Sequence, residues 1–126
     1  MSTTSCVNSV LSTRELGILG EQIAMQHLQS LGFQILEMNY RFGRSEIDII
    51  ADDGPVLVFC EVKTRENEEY GDPEYAITPG KQKKIRRVAA GYLYEHEIKE
   101  HECRFDVVAI RLKKGTPEIN YIRNAF

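Results

Sequence analysis

A chain of 126 residues, 42% hydrophobic and 28% charged with a formal net charge of −3, has the size and composition of one globular domain. No apolar stretch approaches the roughly 20 residues of a membrane span, and the opening MSTTSCVNSV lacks the basic-then-apolar order of a secretion signal. Cys6, Cys60 and Cys103 are odd in number and widely separated, which argues against a disulfide framework or zinc cluster and for free thiols in a reducing cytoplasm.

Residues 1–12 are rich in Ser and Thr and read as a flexible tail, leaving 13–126 as one domain. Ser12-Thr13-Arg14-Glu15 has capping-box spacing. Leu16, Leu19, Ile23, Ala24, Leu28 and Leu31 recur at helical intervals before Gly32, which predicts a helix over 13–31. Strands are predicted near 33–39, 45–51 and 56–63, the last two joined by a tight hairpin turning at Asp53-Gly54. Residues 64–78 form a long polar loop of the kind that often serves function. Thr78 caps a second helix with Pro79 in its first turn and a core stripe of Ile85, Val88, Ala89 and Tyr92, ending before EHEIKEHE. Strands near 104–112 and 118–122 close the chain. The strand–helix–strand passage from 56 to 112 implies a right-handed parallel crossover. The expected fold is α/β, a mixed sheet with flanking helices in the order α-β-β-β-α-β-β.

The segment SEIDIIADDGPVLVFCEVKTR, 45–65, places charges among core residues. Side chains alternate along a strand, so Glu46, Asp48 and Ile50 share one face of their strand, and Leu57, Phe59, Glu61 and Lys63 share one face of the next. With the turn at Asp53-Gly54, Asp48 opposes Phe59 and is a diagonal neighbour of Glu61. Two carboxylates about 6 Å apart at an effective dielectric near 20 repel by about 3 kcal/mol, a large fraction of a domain's stability. Lys63 offsets part of that. A divalent cation would offset more, and hard carboxylate oxygens with the Val62 main-chain carbonyl suit Mg²⁺ or Mn²⁺. Lys63 is placed to hold an attacking water or stabilise charge on a phosphoryl oxygen. The simpler alternative is an ion pair, Glu61 with Lys63 or Arg65, at a strand end.

This pattern resembles the signature of the PD-(D/E)XK nuclease superfamily, an Asp on one strand and (Asp/Glu)-x-Lys on the next. GILGEQIAMQHLQSLGFQILEMNYR, EIDIIADDGPVLVFCEVKTR and YGDPEYAITPGKQKKIRRVAAGYL together resemble the YraN family of small bacterial proteins, and more distantly archaeal-type Holliday junction resolvases. The resemblance implies a restriction-endonuclease-like core, with Asp48 and Glu61 as metal ligands, Lys63 as the catalytic lysine and Glu21 as an acid brought from the first helix. Ser45 stands where the family usually has Gly before Glu-Ile-Asp, which bears on loop geometry and leaves the ligand set in place. Glu46 is expected to face water.

Lys81, Lys83, Lys84, Arg86 and Arg87 crowd into two helical turns with no acid among them, a charge density suited to phosphates. Lys81 and Gln82 lean toward the sheet, as candidates for substrate contact; Lys83 and Arg87 point outward. Arg65, Lys84 and Arg86 complete the expected nucleic-acid surface, and Tyr70 and Tyr75 have the chemistry to stack on bases. Acidic stretches at 66–69 and 95–102 would orient binding by repulsion. His96 and His101 have no metal spacing, and Asp106 reads as a structural partner for a basic residue. The resulting expectation is a cytoplasmic Mg²⁺- or Mn²⁺-dependent nuclease on branched, flapped or single-stranded DNA. A four-way junction would require a homodimer. A nucleic-acid-binding module without catalysis and a scaffold with an internal salt-bridge network are the rivals.

Overall fold

A computed structural model of the chain describes residues 11–66, 77–112 and 116–126. Helix α1 (Thr13–Ser30) is followed by strands β1 (Gln34–Phe42), β2 (Ser45–Asp53) and β3 (Val56–Arg65). Helix α2 (Pro79–Glu95) and strands β4 (Glu102–Arg111) and β5 (Glu118–Ile122) complete the α-β-β-β-α-β-β order expected from sequence. Positions 1–10 of the expected 1–12 tail, with Cys6, and positions 67–76 of the polar loop, with Tyr70 and Tyr75, lie outside the described residues.

The strands form one five-stranded sheet in the order β1-β2-β3-β4-β5. Only β3 and β4 run parallel, because only their connection is long enough to carry a crossover helix. Both helix starts follow from local chemistry. Ser12 Oγ accepts the Glu15 N–H at 3.1 Å, while the Glu15 carboxylate accepts the Ser12 N–H at 2.9 Å, completing the capping box. The Thr78 hydroxyl accepts the Lys81 N–H at 3.2 Å, and Pro79 sits where a missing N–H matters least.

The helices cover opposite faces. Ala24 and Leu28 of α1 pack with Ile49, Ala51, Val58, Cys60, Val108 and Ile110. On the other face Ile85, Val88, Ala89 and Tyr92 of α2 pack with Ile47, Ile50, Leu57, Phe59 and Val107. Two glycines permit close approach. A Cβ on Gly20 would collide with the Thr64 hydroxyl, and one on Gly91 with the Phe42 ring. The first contact presses α1 onto the end of β3. Among the described residues no helix is long and apolar enough to cross a membrane.

Two details depart from the sequence expectation. The β2–β3 turn is Gly54-Pro55, closed by Asp53 opposite Val56, so Ile50 pairs with Phe59 rather than Leu57. Pro55 has no N–H for the ladder and is pushed into the turn, where Gly54 takes a φ of +67°. The displacement is two residues, which preserves which face each side chain occupies. Second, alternation in β2 breaks. Ile47 joins Ile50 in the α2 core while Ile49 packs on the α1 side, so Glu46, Asp48 and Ile50 do not share one face. Met38 and Tyr40 of β1 likewise enter different cores. Between them Asn39 has a φ of 54°, a left-handed step that turns the strand over.

At the hairpin end, Asp106 is fully buried. Its carboxylate accepts Arg104 Nε at 3.0 and 3.1 Å, the Tyr121 hydroxyl at 2.5 Å and the Asn124 N–H at 3.0 Å. That is the structural partnership with a basic residue expected from the sequence.

Candidate functional site

Regular pairing of β2 with β3 stops at Ile49–Cys60. Asp48 and Glu61 are each the next residue, at the fork where the strands part. The fork leaves the Val62 N–H without a ladder partner, and Asp48 Oδ2 accepts it at 2.8 Å. Asp48 is thereby held in the interior, 9% exposed. Glu61 projects toward α2, where its Oε2 lies 3.4 Å from Lys81 Nζ. Its other oxygen, Oε1, is buried, and apart from the neighbouring Asp48 carboxyl no group among the described residues reaches it. Such atoms are rare in folded proteins and call for an explanation.

The electrostatics follow from burial. Loss of solvation, then repulsion from Glu61, pushes the Asp48 carboxyl up to about 8, against the pull of the Val62 N–H; Glu21 and Glu46 add to the rise. Burial also raises Glu61, opposed first by Lys81, then by a side-chain hydrogen bond with Asp48, and further by Lys63. Two close carboxyls share protons as a unit, and here Asp48 is the member driven toward the neutral form. A cation entering the fork would displace that proton.

Beside Glu61 lies a cleft of about 440 Å³, lined by Glu61, Lys63, Arg65, Thr78 and Lys81 among others, with Asp48 behind that lining. Lys63, two residues beyond Glu61 on the same strand, shares its side of β3. Lys81 leans toward the sheet as expected. Gln82 also turns inward, but its amide donates to the Ile77 carbonyl at 2.8 Å, which holds the start of α2. Lys83, Lys84 and Arg87 are exposed on α2 outside the cleft lining. Arg86 is occupied elsewhere, its guanidinium 4.5 Å from the Phe105 ring centre and 5.7 Å from that of Phe126.

On the α1 side, Asn39 Nδ2 donates to Glu21 Oε1 at 3.0 Å and lies 3.4 Å from Glu46 Oε2. Glu46 also pairs with Arg41 at 3.1 Å, so it is engaged by the protein rather than simply facing water. The structure thus gathers Asp48, Glu61, Val62, Lys63, Arg65 and Lys81, with Glu21 joined at the margin through Asn39. Asn39 was not among the sequence candidates. An Asn inside a strand-like run, poor in β propensity and tolerant of left-handed backbone, was the available signal.

Among the described residues no three Asp, Glu, His or Cys side chains close into a ready metal cage. Glu21 therefore stands outside any direct ligand set. Two close carboxylates still fit Mg²⁺ or Mn²⁺, since Mg²⁺ commonly takes one or two protein carboxylates and keeps several waters.

Fold and site define a small α/β domain with an acid pair at a strand fork, flanked by lysines. The model of Uncharacterised protein family UPF0102 matches residues 20–110, and the chain belongs to this family, that of YraN. A UPF0102 protein of Syntrophus aciditrophicus is 46% identical over 110 residues, covering 87% of each chain. One of Geotalea daltonii is 46% identical over 114 residues, covering 90% of each. One of Chlorobaculum parvum is 53% identical over 95 residues, covering 75% of this chain and 74% of its own.

Proposed function

We propose that the chain is a divalent-cation-dependent nuclease hydrolysing phosphodiesters in branched, flapped or single-stranded DNA. The observation that carries this reading is the buried acid pair at the fork, where no N–H group or cation among the described residues reaches Glu61 Oε1 and the neighbouring Asp48 carboxyl keeps its proton. A cation bound there would replace the proton that the two carboxyls share. The sequence order Asp48, then Glu61-x-Lys63, is also that of the PD-(D/E)XK nucleases the chain resembles.

Asp48 and Glu61 would hold Mg²⁺ or Mn²⁺, with the Val62 carbonyl as a further oxygen. The bound cation supplies Lewis acidity toward a phosphoryl oxygen and lowers the pKa of water. The chain's own groups do the rest. Lys63 donates hydrogen bonds to the attacking water or to a non-bridging phosphoryl oxygen, where negative charge grows. Lys81 and Arg65 flank the cleft as phosphate contacts. Exposed Lys83, Lys84 and Arg87 extend that contact along the backbone. Water adds across one P–O bond, giving a phosphate monoester and a free hydroxyl. A four-way junction would need two copies of so small a domain.

One observation favours a second reading, a nucleic-acid-binding module without catalysis: Lys81 already neutralises one oxygen of Glu61. Cleavage of flapped and branched DNA with Mn²⁺ decides between them. The nuclease reading expects nicked product from the wild type and none from Lys63→Ala or Asp48→Asn, with DNA affinity retained in both. Binding of DNA with no product from any of them would establish the binding module instead.

A further inference from the structure

Asn39 departs from its surroundings in two ways that share a location. Its backbone is left-handed, at a φ of 54°, in the middle of β1. Its neighbours Met38 and Tyr40 pair with Ile49 and Ile47, so Asn39 lies across from Asp48, at the point where both strands turn over. Its side-chain amide donates to Glu21 at 3.0 Å and reaches Glu46 at 3.4 Å. One residue thereby touches the two outlying acids whose charge acts on Asp48.

We infer that Asn39 is a positioning residue of the acid site, its left-handed backbone turning Asp48 into the fork and its amide clamping Glu21 beside it. This rests on the proposed cation site. Glu21 is held at the margin of the site by Asn39, so with a cation bound it would hold a water of the hydration shell, and that requires a fixed carboxylate. A free glutamate on a helix samples several rotamers. An amide donor locks one of them and, having no charge, leaves the carboxylate's full attraction for the cation. Asn supplies both functions because it is among the few residues other than Gly that adopt left-handed backbone readily. Groups that orient a metal's surroundings typically change affinity by about 10–100-fold when removed.

The two functions separate by substitution. Asn39→Gly keeps the backbone freedom and removes the amide; Asn39→Asp keeps the shape and replaces the donor with an acceptor. Mn²⁺ binding by calorimetry is measured for the wild type, both variants, Glu21→Gln, and Glu21→Gln combined with Asn39→Gly, with thermal unfolding confirming the fold. The expected result is about tenfold weaker Mn²⁺ binding by Asn39→Gly, a larger loss by Asn39→Asp, and no further loss when Asn39→Gly is added to Glu21→Gln. A merely structural Asn39 would weaken both backgrounds equally, which overturns the inference. Wild-type affinity in Asn39→Gly also overturns it and leaves the cation site standing. Absence of Mn²⁺ binding by the wild type removes the cation site, and this inference with it.

Discussion

The sheet buries two acid sites, and their difference separates a structural acid from one held ready for a ligand. Asp106 is fully buried, and both its oxygens are occupied by Arg104, Tyr121 and Asn124. Its partner Arg104 also reaches Asp53 at 3.2 Å, tying the hairpin end together. At the fork, Lys81 pairs with one oxygen of Glu61 and, among the described residues, only the Asp48 carboxyl is near the other. The same low-polarity interior acts on both. At Asp106 it strengthens a completed network, whereas at the fork it raises the energy of an incomplete one. Stability is the product of the first site, and an unmet demand for positive charge is the product of the second.

Substitutions can break this contrast. The largest effect is expected from Asp106→Ala, which leaves the Arg104 guanidinium without its main buried partner. Loss of about 3–5 kcal/mol in chemical denaturation is predicted, with DNA cleavage altered only through the fraction folded. The opposite sign is expected at the fork. Asp48→Asn keeps an oxygen for the Val62 N–H and removes the cost of holding a carboxyl protonated in the fold at neutral pH, so the metal-free domain should gain about 1–3 kcal/mol. A loss of stability there would mean that Asp48 is a structural acid like Asp106.

The pH dependence sharpens the same comparison. The folded Asp48 carboxyl titrates at about 8, above its ordinary value of 3.8, so between those values the folded state binds more protons than the unfolded chain. Stability contributed by the protonated form is complete below the ordinary value and is lost as pH rises toward 8. The melting temperature of the metal-free wild type should therefore fall across that window more steeply than that of Asp48→Asn. The smallest effect is expected at Arg86, whose stacking on Phe105 and Phe126 gives about 0.5–1 kcal/mol. Arg86→Ala should lower stability by that amount and change DNA affinity less than Lys84→Ala does.

Much of this was legible in the sequence because local chemistry and tertiary packing agree. The Ser12-Glu15 capping box, the Thr78-Pro79 start and the alternation of β3 each specify the element found. Asp48 and Glu61 could be brought together from a hairpin argument even though its register was displaced by two residues, since an even shift preserves faces. What sequence periodicity could not show was the turnover at Asn39 and Asp48. Strict alternation assumes regular strands, and a single left-handed residue violates it without changing the apolar content of either strand. The pairing of Glu61 with Lys81 was foreshadowed only as a direction on the helical wheel, because it depends on how far α2 approaches β3. Arg86 looked like its basic neighbours, and only the C-terminal aromatic rings distinguish it.

Calorimetric titration of Mn²⁺ into the wild type at neutral pH, in two buffers of different ionisation enthalpy, tests the central claim most directly. The account predicts saturable binding with release of a sizeable fraction of a proton, up to about one, taken from the Asp48–Glu61 pair, and neither binding nor release in the Asp48→Asn/Glu61→Gln double variant. No binding by the wild type, or equal binding by the double variant, would contradict it.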